Sequence, residues 1–243
     1  MTGKDIRTQI PNSLTLINLL SGCLGIYALF QYRYEWIPWC VALSLVADFL
    51  DGLSARALNA HTSIGKDLDS LADVVSFGVL PGFILFQLLL QTGTAAGGDD
   101  RINFLQSLPG LGVTLFAALR LAKFNQDKRQ TDSFIGLATP AMTIFVVGIH
   151  QMILHNNLNM ASWLMQKPVL WGISLGLCAL QIAEIPMFSL KFKSKTPNSW
   201  LLPLILVTVV FVLLITINFA ALPTGIILYV VLSVISNQLN PKP

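Results

Sequence analysis

The chain has 243 residues, of which 54% are hydrophobic and only 11% charged, with a net charge of +3 and a mean hydropathy of +0.68. Soluble domains carry ~25% charged residues, so a water-soluble globular enzyme is excluded, as are disordered, coiled-coil, collagen-like and disulfide-stapled chains. With no basic block interleaved with aromatics, no nucleic acid partner is expected, and the chain reads as an all-α integral membrane protein.

A membrane span needs ~20 mostly apolar residues. About eight such segments follow one another, at roughly 14–31, 36–58, 66–91, 105–124, 138–155, 168–190, 200–217 and 219–236. The leading MTGKDIRTQIPN lacks the basic start, apolar stretch and small-residue cleavage site of a signal peptide, so the first segment is expected to be retained. Only short polar stretches separate the segments, which predicts a single domain over 1–243 with no linker. The last two segments, joined through Asn218 to Thr224, read as a tight hairpin, with Pro223 at a helix start where its missing N–H does little harm. Cys23, Cys40 and Cys178 form no C-x-x-C pair and read as small buried hydrophobes.

Charge sets the expected orientation. With the N-terminus in the cytoplasm, Lys4, Arg7, Arg56, Lys66, Arg120, Lys123, Lys128, Arg129, Lys191, Lys193, Lys195 and Lys242 lie inside. Only Arg33, Arg101 and Lys167 lie outside, a split of 12 against 3 that obeys the positive-inside rule. An even number of spans returns the C-terminus to the cytoplasm. Trp36, Trp39, Trp163 and Trp200 fall near segment ends, as interfacial aromatics do.

Four acids lie inside the apolar segments, where a bilayer penalises charge. Asp48 and Asp51 are three apart, and Asp69 and Asp73 four apart, so each pair shares one helix face. The two helices are consecutive and antiparallel, joined by the short loop around Asn59 to Ser63, so all four carboxylates can converge near the cytoplasmic end. Ionised together they need a cation. Hard oxygen ligands suit Mg²⁺ or Mn²⁺, and two ions ~4 Å apart would fit four carboxylates serving phosphoryl chemistry. Gly52 and Gly65 allow close approach beside the acids. Arg56 and Lys66 add positive charge suited to phosphate oxygens. Two competing readings are structural bridges to Arg56, Lys66 and Lys123, and the ion site of a cation-coupled transporter. No self-similar halves support the transporter.

These residues spell D-x2-D-G-x2-A-R-x8-G-x3-D-x3-D, filled by Asp48, Asp51, Gly52, Ala55, Arg56, Gly65, Asp69 and Asp73 over 26 residues. The pattern resembles the signature of the CDP-alcohol phosphotransferase family. The resemblance implies a homodimeric helical enzyme with a six-helix catalytic core that binds a CDP-linked donor and two divalent metals. It makes Asp48, Asp51 and Asp69 metal ligands and sets Asp73 beside the second metal as the base for the incoming hydroxyl. The hairpin over 200–236 would then be an accessory. The blocks IPNSLTLINLLSG, DSLADVVSFGVLPG, AALRLAKFN, GLATPA and EIPMFSLKFK, from Ile10 to Lys193, resemble the branch of the family that uses L-serine, in its bacterial and archaeal membrane form.

The implied reaction converts CDP-diacylglycerol and L-serine to phosphatidylserine and CMP, among membrane lipids and with the site facing the cytoplasm. By family analogy Thr15 and Asn18 frame the nucleotide pocket with Asp48, Gly52, Ala55, Arg56, Gly65 and Lys66. Helix-to-helix hydrogen bonding is the alternative for Thr15 and Asn18. Serine carries a carboxylate, for which Arg120 is the first choice of cation and Lys123 the second. Snorkelling toward headgroups is the alternative for both. A polyol or polyol-phosphate acceptor is the competing assignment within the family. Glu184 is expected to be buried and paired with a nearby lysine, His61, His150 and His155 to be loop or interface residues, and Lys191, Lys193 and Lys195 to face anionic headgroups.

Overall fold

The structure, a computed structural model, describes residues 3–60, 62–94, 99–126, 134–187 and 201–239. His61, Lys128, Arg129, Lys191, Lys193, Lys195, Trp200 and Lys242 lie outside them.

Ten helices follow in order among the described residues: α1 (Gly3–Phe30), α2 (Ile37–Ala57), α3 (Ser63–Val74), α4 (Leu80–Thr94), α5 (Asp100–Gln126), α6 (Thr139–Leu154), α7 (Ala161–Leu164), α8 (Lys167–Ile182), α9 (Leu201–Ile217) and α10 (Ala221–Leu239). Two-residue strands β1 (Phe134–Ile135) and β2 (Pro186–Met187) pair antiparallel. Each of the eight expected apolar segments overlaps a helix among the described residues. Five stretches are long and apolar enough to cross a membrane: Thr8–Phe30, Tyr34–Ala57, Ser63–Gly93, Asp100–Gln126 and Leu204–Gln238. The last contains most of α9 and of α10, while α6 and α8 are apolar but 16 residues each. The protein is a multi-pass membrane protein. Its outer faces agree with this: Trp39 is 77% exposed and Leu115 70%, in positions that water would penalise and lipid does not.

Three boundaries differ from expectation. Helix α1 starts at Gly3 and passes through Pro11; its polar first turns extend beyond the apolar run, so hydropathy does not mark them. Helix α8 stops at Ile182 because Pro186 forces the preceding residue toward extended backbone. The chain then forms β2, and Gly136 N–H donates to Ile185 O while Leu137 N–H donates to Leu180 O. Between α3 and α4 lies a π turn, Val75–Val79, inside an otherwise continuous helix. Such bulges arise where neighbouring groups intrude on the helical ladder. Here Ser76 donates to Asn18 O at 2.9 Å and Phe77 O accepts from Thr143 at 3.1 Å, so the turn is tied to both α1 and α6.

Helices α1 and α2 form an antiparallel pair linked by Ser21 to Cys40 O and by Ser44 to Asn18 O. Helices α4 and α5 pack backbone against backbone at Gly110, where an added Cβ would run into Phe86 N and lie 2.8 Å from Leu85 C and Phe86 Cα. Phe77, Leu80, Ile84, Leu85, Met142 and Leu170 are fully buried at the centre. The C-terminal hairpin turns at Asn218, whose φ of +50° is a left-handed value that Asn tolerates. Gly225 then meets Val210 across the pair.

Several expectations are corrected. Cys23 is exposed and Cys40 half-buried, so only Cys178 is a buried hydrophobe. Glu184 is exposed because α8 ends before it. His150 is no loop residue: it is 4% exposed in α6, and its ring lies edge-on to Tyr34 at 5.0 Å. His155 ends α6 and stacks on Phe219.

Candidate active site

The signature occupies the facing ends of α2 and α3. Thr62 caps α3, its Oγ1 accepting from Gly65 N–H at 3.0 Å, and this sets the axis along which Asp69 and Asp73 project. Helix α2 ends at Ala57 and α3 begins at Ser63, and the two bring their acids side by side. Asp48, Asp51 and Asp69 each offer a carboxylate oxygen, and these atoms lie within 4.8 Å of one another. Asp51 is 5% exposed, and Asp48 and Asp69 are half-buried. Asp69 Oδ1 is buried without a hydrogen-bond partner among the described residues. An all-carboxylate oxygen set with an unsatisfied buried oxygen fits a hard divalent cation. The side-chain partners of Asp51 and Asp73 are Thr15 and Asn18 of α1 rather than Arg56, Lys66 or Lys123. Lys66 instead donates through Nζ to Asn125 O at 2.9 Å, tying α3 to the end of α5.

Helix α1 holds the acids from one side. Thr15 Oγ1 lies 2.6 Å from Asp51 Oδ2, and Asn18 Nδ2 donates to Asp73 Oδ1 at 3.1 Å. The backbone of Asn18 is itself fixed, its carbonyl accepting from both Ser44 and Ser76. Asp73 therefore sits one helical turn deeper than Asp69, outside the three-carboxylate group and locked by α1.

A cavity of about 260 Å³ opens beside the cluster. Its walls include the expected Thr15, Gly52, Ala55, Arg56, Gly65 and Lys66, together with Asp51 and Asp69. Pro11, Asn12, Ala60 and Thr62 also line it and were not expected. Asn12 lies in the IPNSLTLINLLSG block, and Thr62 three residues before Gly65 is a helix-cap signal, so both carried a readable cue. The two glycines do different work. A Cβ on Gly65 would meet Thr62 Oγ1 at 3.0 Å and Asn12 Oδ1 at 3.2 Å, a tight packing demand. A Cβ on Gly52 would meet nothing within 4 Å, so its missing side chain leaves the cavity floor open.

Arg120 and Lys123 part company. Arg120 is 7% exposed, its Nε is buried without a partner, and Asp73 is within electrostatic reach. Lys123 is exposed in the last turn of α5, consistent with snorkelling. The structure thus brings together three acids, a fourth set deeper, two α1 polar residues, two cations at a cavity mouth and one buried guanidinium.

The sequence model for CDP-alcohol phosphatidyltransferase matches residues 8–177, which contain every one of these groups. Curated relatives include the CDP-diacylglycerol–serine O-phosphatidyltransferase of Bacillus subtilis, 33% identical over 131 residues, 54% of this chain and 69% of that protein. The protein of the same name from Helicobacter pylori is 37% identical over 139 residues, 56% of this chain and 55% of that one. That from Methanocaldococcus jannaschii is 33% identical over 148 residues, 59% of this chain and 61% of that one. The chain thus spans 55% to 69% of the length of these relatives. With the signature intact, its acids clustered and the family match covering α1 to most of α8, this chain belongs to the CDP-alcohol phosphatidyltransferase family.

Proposed function

We propose that the protein makes phosphatidylserine and CMP from CDP-diacylglycerol and L-serine. The observation that carries this reading is the convergence of Asp48, Asp51 and Asp69 beside a cavity, in a chain whose relatives bear that enzyme's name. Asp48, Asp51 and Asp69 would hold Mg²⁺ or Mn²⁺, with Asp73 beside a second ion. Bound there, such ions neutralise negative charge on the diphosphate and on the departing CMP oxygen.

The chain's own groups divide the remaining work. Arg56 and Lys66, at the cavity mouth, bind diphosphate oxygens, and Thr15, Gly52, Ala55 and Gly65 frame the nucleotide. Asn18 donates to one oxygen of Asp73, which leaves the other to take the serine hydroxyl proton. As the proton leaves, the serine oxygen forms its bond to the phosphorus bearing the lipid. The bond from that phosphorus to the CMP oxygen breaks, and CMP departs with the electron pair. Arg120 pairs with the serine carboxylate.

The reading extends to the whole chain as one domain over 1–243, with the catalytic motif at 48–73 and 200–236 as an accessory hairpin. It places both termini and the site on the cytoplasmic side of a bacterial or archaeal membrane, supported by the distribution of basic residues. A homodimer follows from the family resemblance, and cross-linking in membranes tests it.

Labelled-serine transfer in detergent-solubilised membranes, with CDP-diacylglycerol and Mn²⁺ or Mg²⁺, tests the reaction. Metal-dependent phosphatidylserine formation, lost in Asp73→Asn, is the expected result. CMP release only with a polyol or polyol phosphate would overturn the acceptor and keep the family.

A further inference from the structure

Helix α10 lies wholly beyond residues 8–177, the part of the chain that matches the family, yet it reaches the deep end of the site. Two cross-links show how. Thr143 of α6 donates to Phe77 O, and further along the same two helices Gln151 and Gln87 both bond Tyr34. The order is the same on both elements, so α6 runs parallel to the α3–α4 helix. One turn before Thr143 is Thr139, and one turn before Phe77 is Asp73, so these two share a level in the bundle. On α5, Ala117 meets Gly78, which puts Arg120 at that level too. Helix α10 begins with Pro223 against Gly148 and near its end Asn237 Nδ2 donates to Pro186 O, in the strand paired with β1 just before α6, so it runs antiparallel along α6 and carries Tyr229 back toward the same level. Tyr229 and Arg120 are within electrostatic reach of one another.

Two groups at this level, Arg120 and Thr139, are buried polar groups with unmet capacity. Arg120 is 7% exposed and its Nε has no partner among the described residues; Thr139 is 1% exposed and its Oγ1 has none either. A buried donor left unmade is costly, so both atoms point to a small polar molecule at this place. Tyr229, 8% exposed, brings a hydroxyl to the same group. A guanidinium that shares its level with hydroxyls and with Asp73 fits a zwitterion that presents a carboxylate to Arg120 and a hydroxyl to Asp73. The family's common donor is handled by α1 to α3, and its name leaves the alcohol open.

We propose that α10 builds part of the acceptor subsite, with Tyr229 and Thr139 closing the chamber around Arg120 and so selecting the alcohol. The inference rests on the phosphatidyltransferase reading above and names the subsite for its second substrate.

Tyr229→Phe and the near-isosteric Thr139→Val, made in the full chain, test it through separate kinetics for the two substrates. The expected result is a KM for L-serine raised about tenfold in each variant, with kcat and the KM for CDP-diacylglycerol within about twofold of wild type. An unchanged serine KM in both variants overturns the proposal. So does a parallel loss of donor affinity and thermal stability, which marks Tyr229 and Thr139 as packing residues. Should the wild type transfer only to another alcohol, the serine reading fails while the same KM comparison for that alcohol still decides the subsite.

Discussion

Asn18 in α1 donates to Asp73 in α3 across 3.1 Å, although 55 positions separate the two in the chain. The contact is held from behind, because Ser44 and Ser76 both donate to the Asn18 carbonyl. One oxygen of the proposed base is thereby fixed while the other stays available, an arrangement that favours proton transfer in a single orientation. Asn18→Ala is expected to lower kcat by about 10- to 100-fold with little change in either KM, because it frees Asp73 to rotate. Steady-state kinetics check this. A raised KM for the CDP-linked lipid with unchanged kcat would instead make Asn18 a nucleotide contact.

Thr15 lies 2.6 Å from Asp51 Oδ2 and orients a carboxylate of the three-acid group. Outer partners of ligand carboxylates typically contribute about 10- to 100-fold to metal affinity. Thr15→Val should therefore raise the Mn²⁺ concentration needed for half-maximal activity by that order. Titration of chelator-treated protein with Mn²⁺ reads it out. An identical titration curve for variant and wild type would leave Thr15 with helix packing alone.

Removing divalent ions should stop CMP release and also lower the thermal midpoint. Three carboxylate oxygens within 4.8 Å repel one another once no cation lies between them. Both losses should reverse on adding Mg²⁺ or Mn²⁺. Activity that survives exhaustive chelation would contradict the metal assignment.

Gly52 and Gly65 make a paired test of cavity against packing. Gly52→Ala places a methyl in open space, so the melting temperature should hold while donor affinity falls. Gly65→Ala crowds the Thr62 cap and Asn12, so it should lose stability, on the order of 1 kcal/mol, as well as affinity. Thermal unfolding in detergent with parallel donor binding separates them. Equal melting losses in the two variants would contradict the geometry.

Gly110 lies where α5 crosses α4 against backbone atoms, which cannot swing aside as a side chain tip can. Gly110→Ala should destabilise by about 1–3 kcal/mol, because its Cβ would fall 2.8 Å from Leu85 and Phe86 backbone. Expression in membranes and thermal unfolding measure it, with Gly176→Ala, whose Cβ meets nothing within 4 Å, as the unaffected comparison.

The amino-acid sequence by itself determined the membrane class, the helical segments and the acid signature, because each depends on local spacing. Hydropathy is a property of a continuous run, and the three and four spacings of Asp48, Asp51, Asp69 and Asp73 follow from helix geometry alone. Even the cap at Thr62 is local. Tertiary structure decided what spacing cannot express. It separated Arg120 from Lys123, three residues apart, into a buried guanidinium and an exposed ammonium, because Lys123 lies in the last turn of α5 where the packing around Arg120 gives out. It set Asp73 apart from the other three acids by giving it Asn18 as partner. It also carried Tyr229, from a hairpin with no motif of its own, to within electrostatic reach of Arg120 more than a hundred positions earlier. Apolar helices pack by shape, and in a bilayer hydrophobicity does not choose which face turns inward; that choice emerges only when all of them are assembled.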